Sequence, residues 1–332
     1  MEMNTLDVTK LKAEIRKNNQ SNVVMEFVLL GFSLSQPMEF LVFMLLLAIF
    51  ALTLMGNMAI ITVVYVDPRL HTPMYFFLCN LSLLEILFVL SITPKMLGNL
   101  LSQAKAISFW GCITQCYFYF FLGTADFILI AIMSFDRYMA ICHPLHYPVI
   151  MSGRVCVFLV MGCWLVGFLS TLCPLILLCQ LPFCGPNVIN HFFCDYAPLV
   201  MLSCVDTHFL LMIEYVLSSV VLLTSLSVTA VSYLYIIVTV FHIPSSTGRR
   251  KAFSTCTSHI TVASILYGSV IFMYARPPSQ GHSLDLQKVV AVCNVIVSPL
   301  LNPFIYTLRN EKVKKALKEY LTRKSSILQP KT

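Results

Sequence analysis

A chain of 332 residues that is 58% hydrophobic and 11% charged, with a mean hydropathy of +0.81, carries more apolar surface than one soluble core can hide. Lipid must be the solvent for much of it. The net charge of +7 is no nucleic-acid footprint, because most of it comes from the C-terminal tail, and no nucleic-acid partner is expected.

Residues 1–38 are mostly polar and lack a basic stretch followed directly by a short apolar run, so no cleavable signal is expected and the first span directs insertion. Asn19-Gln20-Ser21 in this segment is a glycosylation sequon, which marks Asn19 if the segment is lumenal. A second match, Asn80-Leu81-Ser82, falls inside an apolar stretch and cannot be used. A hydrocarbon core about 30 Å thick takes roughly 20 apolar residues in a helix. Seven such stretches are expected at 39–65, 73–101, 109–138, 155–180, 207–241, 251–275 and 287–308. The fold class is therefore an all-α membrane protein: an N-terminal segment (1–38), a seven-transmembrane helix bundle (39–308) and a tail (309–332). Pro94, Pro174 and Pro299 inside these spans read as kinks, since neighbouring helices can satisfy a freed carbonyl.

Lys and Arg concentrate on the 66–72, 136–154 and 242–250 connections and the tail, which places those in the cytosol and the N-terminus outside. The third span closes on Asp136-Arg137-Tyr138. An arginine at that depth is tolerated only where it meets water, an acid partner or a docking protein, so the triplet marks the cytosolic mouth of a receptor bundle. Between Arg309 and Lys331 eight Lys or Arg stand against Glu311 and Glu319. With Val313, Ala316, Leu317, Tyr320 and Leu321 at spacings of three and four, the tail reads as a short amphipathic helix on anionic membrane lipids; a solvated tail is the alternative.

Of the 13 cysteines, nine lie in or beside spans and need be no more than small packing units. Cys112, Cys184, Cys194 and Cys204 fall on the outer side, where an oxidising lumen lets bridges form. Their pairing is open from sequence, but at least one bridge is expected to tie the 181–206 loop across the bundle mouth. Metal binding with nearby His191 is the rival reading, and the spacing matches no common zinc pattern. Glu85 and Asp126 lie mid-span in the second and third helices. An acid there costs roughly 2.5–3.5 kcal/mol on insertion scales, so both are expected to face the interior and to share a cation or a proton. Structural hydrogen bonding to Asn57, Asn302 and serines is the alternative.

Seven stretches in order now carry a resemblance: Glu26-Phe-Val-Leu-Leu-Gly31, Gly56-Asn57, Leu70-His-Thr-Pro-Met-Tyr-Phe-Phe-Leu78, Met133-Ser-Phe-Asp-Arg-Tyr-Met-Ala-Ile-Cys-His-Pro-Leu-His-Tyr147, Ser232-Tyr233, Lys251-Ala-Phe-Ser-Thr-Cys256 with Ser258-His259, and Pro299-Leu-Leu-Asn-Pro-Phe-Ile-Tyr306. The chain resembles a rhodopsin-like G-protein-coupled receptor and, within that class, an odorant receptor of the tetrapod (class II) type. The resemblance implies a Cys112–Cys194 bridge and a Cys184–Cys204 bridge. It implies that Asp136 holds Arg137 when the receptor is inactive and that Arg137 turns to the G protein when the sixth helix swings out. Tyr138, Tyr233, Asn302, Pro303 and Tyr306 would belong to that switch. Glu85 and Asp126 resemble an acidic pair that holds sodium, although many relatives in the wider class carry Asp and Ser there.

Helical spacing places Tyr119, Phe120, Gly123 and Thr124 on one face above Asp126, and Tyr267, Val270, Ile271 and Tyr274 on a face of the sixth helix. Tyr196, just after Cys194, is placed to cap the space between them. Such a site suits a small, mostly apolar volatile with one polar group; ordinary core packing is the alternative for these aromatics. Amine receptors carry an aspartate where this chain has Tyr119, and opsins a Schiff-base lysine where it has Ile296, which argues against biogenic amines and retinal. No enzymatic constellation is present. The resemblance implies a plasma-membrane odorant receptor whose partners are a volatile odorant, the stimulatory olfactory G protein that raises cyclic AMP, trafficking chaperones and membrane lipids, with no cofactor beyond a sodium ion. A proton-coupled secondary transporter using Glu85 and Asp126 is the competing reading. It would predict an internal repeat, and none is evident.

Overall fold

A computed structural model of the protein describes residues 24–32, 34–102, 105–183, 187–242, 245–274, 288–308 and 311–328. Seven long helices follow one another: α1 (Gln36–Val66), α2 (Pro73–Leu101), α3 (Phe109–Cys142), α4 (Gly153–Cys179), α5 (His208–Phe241), α6 (Ser246–Tyr274) and α7 (288–308). A separate helix, α8 (Glu311–Leu328), comes after them. The first five are long and apolar enough to cross a membrane unaided, while the apolar parts of the last two, His259–Met273 and Lys288–Pro303, are shorter among the described residues. Three bounds differ from the hydropathy reading. α1 starts before residue 39 because Pro37 is tolerated in a first turn. α3 runs past Arg137 to Cys142, because a polar residue ends a hydropathy window without ending a helix. α6 begins at Ser246, upstream of its apolar part, in a basic and polar stretch.

Helix starts follow local chemistry. Thr72 precedes Pro73 at the head of α2, and the Ser108 hydroxyl accepts the Gly111 N–H at 3.1 Å to cap α3. α2 and α3 form the pillar of the bundle: about half of their most apolar windows is buried, 56% and 50%, against 11% for α1 and 6% for α5. Those peripheral helices are apolar all round and turn most of their surface to lipid. Close approaches are set by glycine. A Cβ on Gly167 of α4 would lie 2.8 Å from the Phe121 carbonyl of α3, and one on Gly56 of α1 would lie 3.1 Å from Pro303 of α7.

Proline costs are repaired between helices. Pro303 has no N–H to offer the Pro299 carbonyl one turn back, and Asn57 of α1 donates to that carbonyl instead at 3.3 Å. Just before Pro299, α7 widens into a π-helical turn over Cys293–Val297.

One element lies outside the helical expectation. Strand β1 (Glu26–Leu29) is the centre of a three-stranded sheet, antiparallel to β2 (Ala106–Ser108) and parallel to β3 (Val188–Ile189). Phe27 and Leu29 alternate inward and are fully buried, while Gly31, at φ +64, turns the chain out of the strand toward α1. The segment before the first helix is thereby stitched to the 181–206 loop at the disulfide end of the bundle.

Candidate ligand-binding and coupling site

The disulfide end is closed by a lid. Cys112 at the head of α3 is bridged to Cys194 with a Cα–Cα distance of 5.4 Å, and both residues are fully buried. Gln115, one turn further along α3, accepts the Cys194 N–H at 3.0 Å and donates to the Ser91 carbonyl of α2 at 3.0 Å, so loop, α2 and α3 are clamped at one point. Cys204 is also disulfide-bonded; Cys184, its expected partner, lies outside the described residues, as does Asn19. Phe183 and Ser203 pair as an isolated bridge beside it. Among the described residues no group of three or more His, Cys, Asp or Glu is placed to hold a metal ion, and Cys194 and Cys204 are taken up in disulfides.

Lys288 at the head of α7 donates to the Gly31 carbonyl (3.1 Å) and to Asn190 Oδ1 (2.7 Å), tying three chain segments together. Beneath it His191 is held neutral down to about 3, first by burial and then by the Lys288 charge. Phe193 is buried against Tyr119, ring centroids 4.5 Å apart, and Tyr119 packs on Phe88 at 5.5 Å. The lid therefore plugs the bundle with Phe193, a residue the sequence did not single out.

Below the lid lies a cavity of about 130 Å³ between α2, α3, α5, α6 and α7. Tyr119, Phe120, Gly123, Thr124 and Asp126 of α3 line it, as does Val270 of α6, and a Cβ on Gly123 would point into open space. The rest of the α6 face is corrected by about one residue. Leu266 and Val270 form the wall, whereas Tyr267 is buried behind it, hydrogen-bonded to Thr229 of α5 at 3.2 Å and packed on Phe127. Ile271 is 40% exposed on the outer surface. Each residue turns about 100° around a helix, so shifting the register by one moves a stripe off the cavity. The Tyr274 side chain lies outside the described residues. Tyr196 does not cap the main cavity: its hydroxyl donates to the Pro174 carbonyl at 3.4 Å, and its ring lines a smaller neighbouring pocket against α4. Also missed was the α5 wall, with Glu214, Ser218, Ser219 and Leu222. Only the polar Glu and Ser in an apolar helix signalled it.

Glu85 and Asp126 both reach the floor of this cavity. Asn302 of α7 donates to Glu85 Oε1, while Glu85 Oε2 and Asp126 Oδ1 are buried with no hydrogen-bond partner among the described residues.

At the far end of α3, Asp136 is fully buried. Its Oδ2 takes the Arg137 guanidinium through Nε (2.9 Å) and Nη2, and its Oδ1 accepts the Tyr147 hydroxyl at 2.8 Å from the one-turn helix Tyr147–Ile150. The buried carboxylate pushes the Tyr147 hydroxyl's proton loss upward, after the larger effect of burial. Tyr233 of α5 is buried with Ile236, Val240 and Cys256 of α6, and Tyr138, Ile141 and Cys142 pack against that cluster. The Tyr138 hydroxyl instead reaches His143 Nε2 at 2.9 Å. Pro303 is buried, and the Tyr306 side chain lies outside the described residues. α8 is held by Glu319, which pairs with Arg69 at 2.6 Å.

Seven membrane-type helices, a disulfide-tied lid over a cavity and a buried Asp-Arg pair at the opposite end define a seven-transmembrane receptor. A family model described as olfactory receptor matches residues 22–324. Olfactory receptor 6J1 of Homo sapiens is 54% identical over 92% of this chain and 88% of its own length. Olfactory receptor 6T1 of Homo sapiens is 53% identical over 90% and 92%, and olfactory receptor 6E1 of Mus musculus 51% identical over 91% and 97%. The chain belongs to the olfactory receptor family: it is a multi-pass plasma-membrane odorant receptor of the G-protein-coupled class, not an enzyme. That membership leaves the transporter reading without support.

Proposed function

We propose that the cavity beneath the Phe193 plug binds small, mostly apolar volatile molecules, and that their binding releases Arg137 to a stimulatory olfactory G protein, raising cyclic AMP. The lid and N-terminus face outside and the Asp136–Arg137 end faces the cytosol, in line with the excess of Lys and Arg on the connections and tail at that end. The observation that carries the reading is continuity. α3 lines the cavity with Tyr119 to Asp126 and carries the Asp136–Arg137 pair near its far end, and from Thr124 to Arg137 the helix is about 20 Å long.

The bundle works as a two-state device. A ligand that fits the cavity better in one state shifts the population by its difference in affinity and by no more than that. In the resting state the Arg137 guanidinium is spent on Asp136, and Tyr147 holds the other carboxylate oxygen. In the active state Arg137 leaves Asp136 for the G protein as α6 moves away, with Tyr138, Tyr233, Asn302, Pro303 and Tyr306 rearranging around it. The basic, polar start of α6 and the amphipathic α8, whose Val313 and Ala316 are buried, would meet the G protein and the anionic inner leaflet.

Two carboxyls with orphaned oxygens fit a sodium ion, and the Asn302 amide, donating to the other Glu85 oxygen, would steady one of them. Glu85 and Asp126 would hold it, and it would supply charge neutralisation on the cavity floor. Cys184 would close the bridge to Cys204, Asn19 would carry the glycan, and trafficking chaperones would serve delivery to the surface.

The test is a screen of diverse volatiles in cells expressing the chain with the olfactory G protein and a chaperone, read as cyclic AMP. Gly123→Trp should abolish every response at unchanged surface density by filling the cavity. Responses that survive it would place the ligand elsewhere.

A further inference from the structure

The cavity's charge is one-sided. Among the described residues its wall carries three carboxyl side chains, Glu85, Asp126 and Glu214, and no Lys, Arg or His, and the adjoining pocket that shares Glu214 has none either. Among the described residues no salt bridge involves any of the three acids. Glu214 differs from the other two in position and in purpose. Asn302 gives Glu85 a structural partner, and the floor acids sit together. Glu214 stands on the α5 wall, nearer the lid, where among the described residues its one hydrogen-bond partner is the Ser218 hydroxyl one turn along, at 2.6 Å. The groups facing it are Ser218 on its own helix, Thr124 and Cys116 on α3, and Asp195 and Tyr196 in the loop. Asp195 keeps its proton to about 7, by burial first and by repulsion from Glu214 second.

With no cation among the described lining residues, a half-buried carboxyl such as Glu214 is most stable either protonated or paired to a charge brought from outside. The other side chains of the wall are uncharged: Phe88, Phe120, Leu222, Leu266 and Val270 give it apolar surface, with hydroxyls and amides such as Thr124, Ser219 and Asn294 between them. From this arrangement, which rests on the cavity being the odorant site, we infer that Glu214 is the counter-ion for a small aliphatic amine, and that amines are the preferred ligand class. The ligand's ammonium meets Glu214 beside Ser218, and its alkyl chain lies along the apolar wall toward α6. The acid that amine receptors place on α3, where this chain has Tyr119, is supplied here from α5.

The experiment compares an unbranched primary amine with the alcohol, aldehyde and carboxylic acid of the same chain length, as cyclic AMP at matched surface density. The amine should act at the lowest concentration and the acid should be silent. Glu214→Gln should raise the half-maximal amine concentration about tenfold or more, as expected for a desolvated charge pair losing one partner, and leave the alcohol nearly unchanged. Glu214→Asp should recover part of the loss. If Glu214→Gln fails to reach the surface, Ser218→Ala serves as the second variant, with a smaller shift in the same direction and again for the amine alone. Silent amines, or a Glu214→Gln shift equal for amine and alcohol, overturn the inference. Gly123→Trp separates this from the reading beneath it. If that variant blocks an active alcohol while Glu214→Gln spares the amine, the cavity stands and the amine assignment falls. If responses survive Gly123→Trp, both fall.

Discussion

The two ends of α3 are held by opposite means. At the lid, Cys112 is fully buried, joined covalently to Cys194, and braced by Gln115 and the β1 sheet. At the other end the same helix is held by one buried carboxylate, shared between Arg137 and Tyr147. The lid end cannot let go without breaking a bond. The Arg137 end can, because a docking partner need only offer the guanidinium better acceptors than Asp136. A receptor of this design keeps its cavity shape while its signalling face changes.

Breaking the covalent end should have the largest effect. Cys112→Ser also strands the Cys194 segment over the cavity, and removal of a native disulfide typically costs about 2–5 kcal/mol. The variant should be retained inside the cell, as read by surface labelling against total protein. Normal surface delivery would show that the lid is held by packing alone. Opening the ionic end should leave folding intact and change signalling instead. Asp136→Asn removes the charge that holds Arg137, so basal cyclic AMP without ligand should rise several-fold at equal surface density. A basal level equal to wild type would mean that Asp136 is not the latch. Tyr147→Phe, which deletes one hydrogen bond worth about 1 kcal/mol, should move basal activity the same way and by less.

The smallest effect sharpens the contrast within the lid itself. Asp195 holds its proton to about 7 against a usual 3.8, so it favours the fold most below about 4, and that contribution fades as pH rises through 7. His191 runs the other way. Held neutral down to about 3 against a usual 6.5, it favours the fold above 6.5, and that contribution is lost as pH falls through 3. Between about pH 5 and 8 the Asp195 contribution therefore lowers the midpoint of thermal unfolding as pH rises. Asp195→Asn should remove that fall in the purified receptor, and an unchanged pH profile would mean that Asp195 is ionised throughout.

The bundle was legible because lipid demands long apolar runs, and the outer cysteines and the Asp-Arg pair stood out as chemistry that such runs do not otherwise contain. Helix facing was not legible to the same degree. In a span that is apolar on every side, residues turned to lipid and residues turned to the cavity have the same chemistry, which is how Tyr267 and Ile271 came to be read as wall beside Val270 while Leu266 was passed over. α3 escaped this because Gly123, Thr124 and Asp126 break its uniformity. α5 offered the same clue in Glu214 and Ser218. The sheet was hidden for another reason: β1 is only four residues long, and its alternation of Phe27 and Leu29 acquires meaning only when 106–108 and 188–189 are brought alongside.

The central claim is that Arg137 carries the signal out of a bundle whose cavity receives the ligand. The most direct measurement is cyclic AMP production by Arg137→Gln beside wild type, at matched surface density, with any volatile that activates the wild-type receptor. The account predicts normal delivery to the membrane and no response at any concentration. A full response from Arg137→Gln would contradict it and place the coupling contact elsewhere on the cytosolic face.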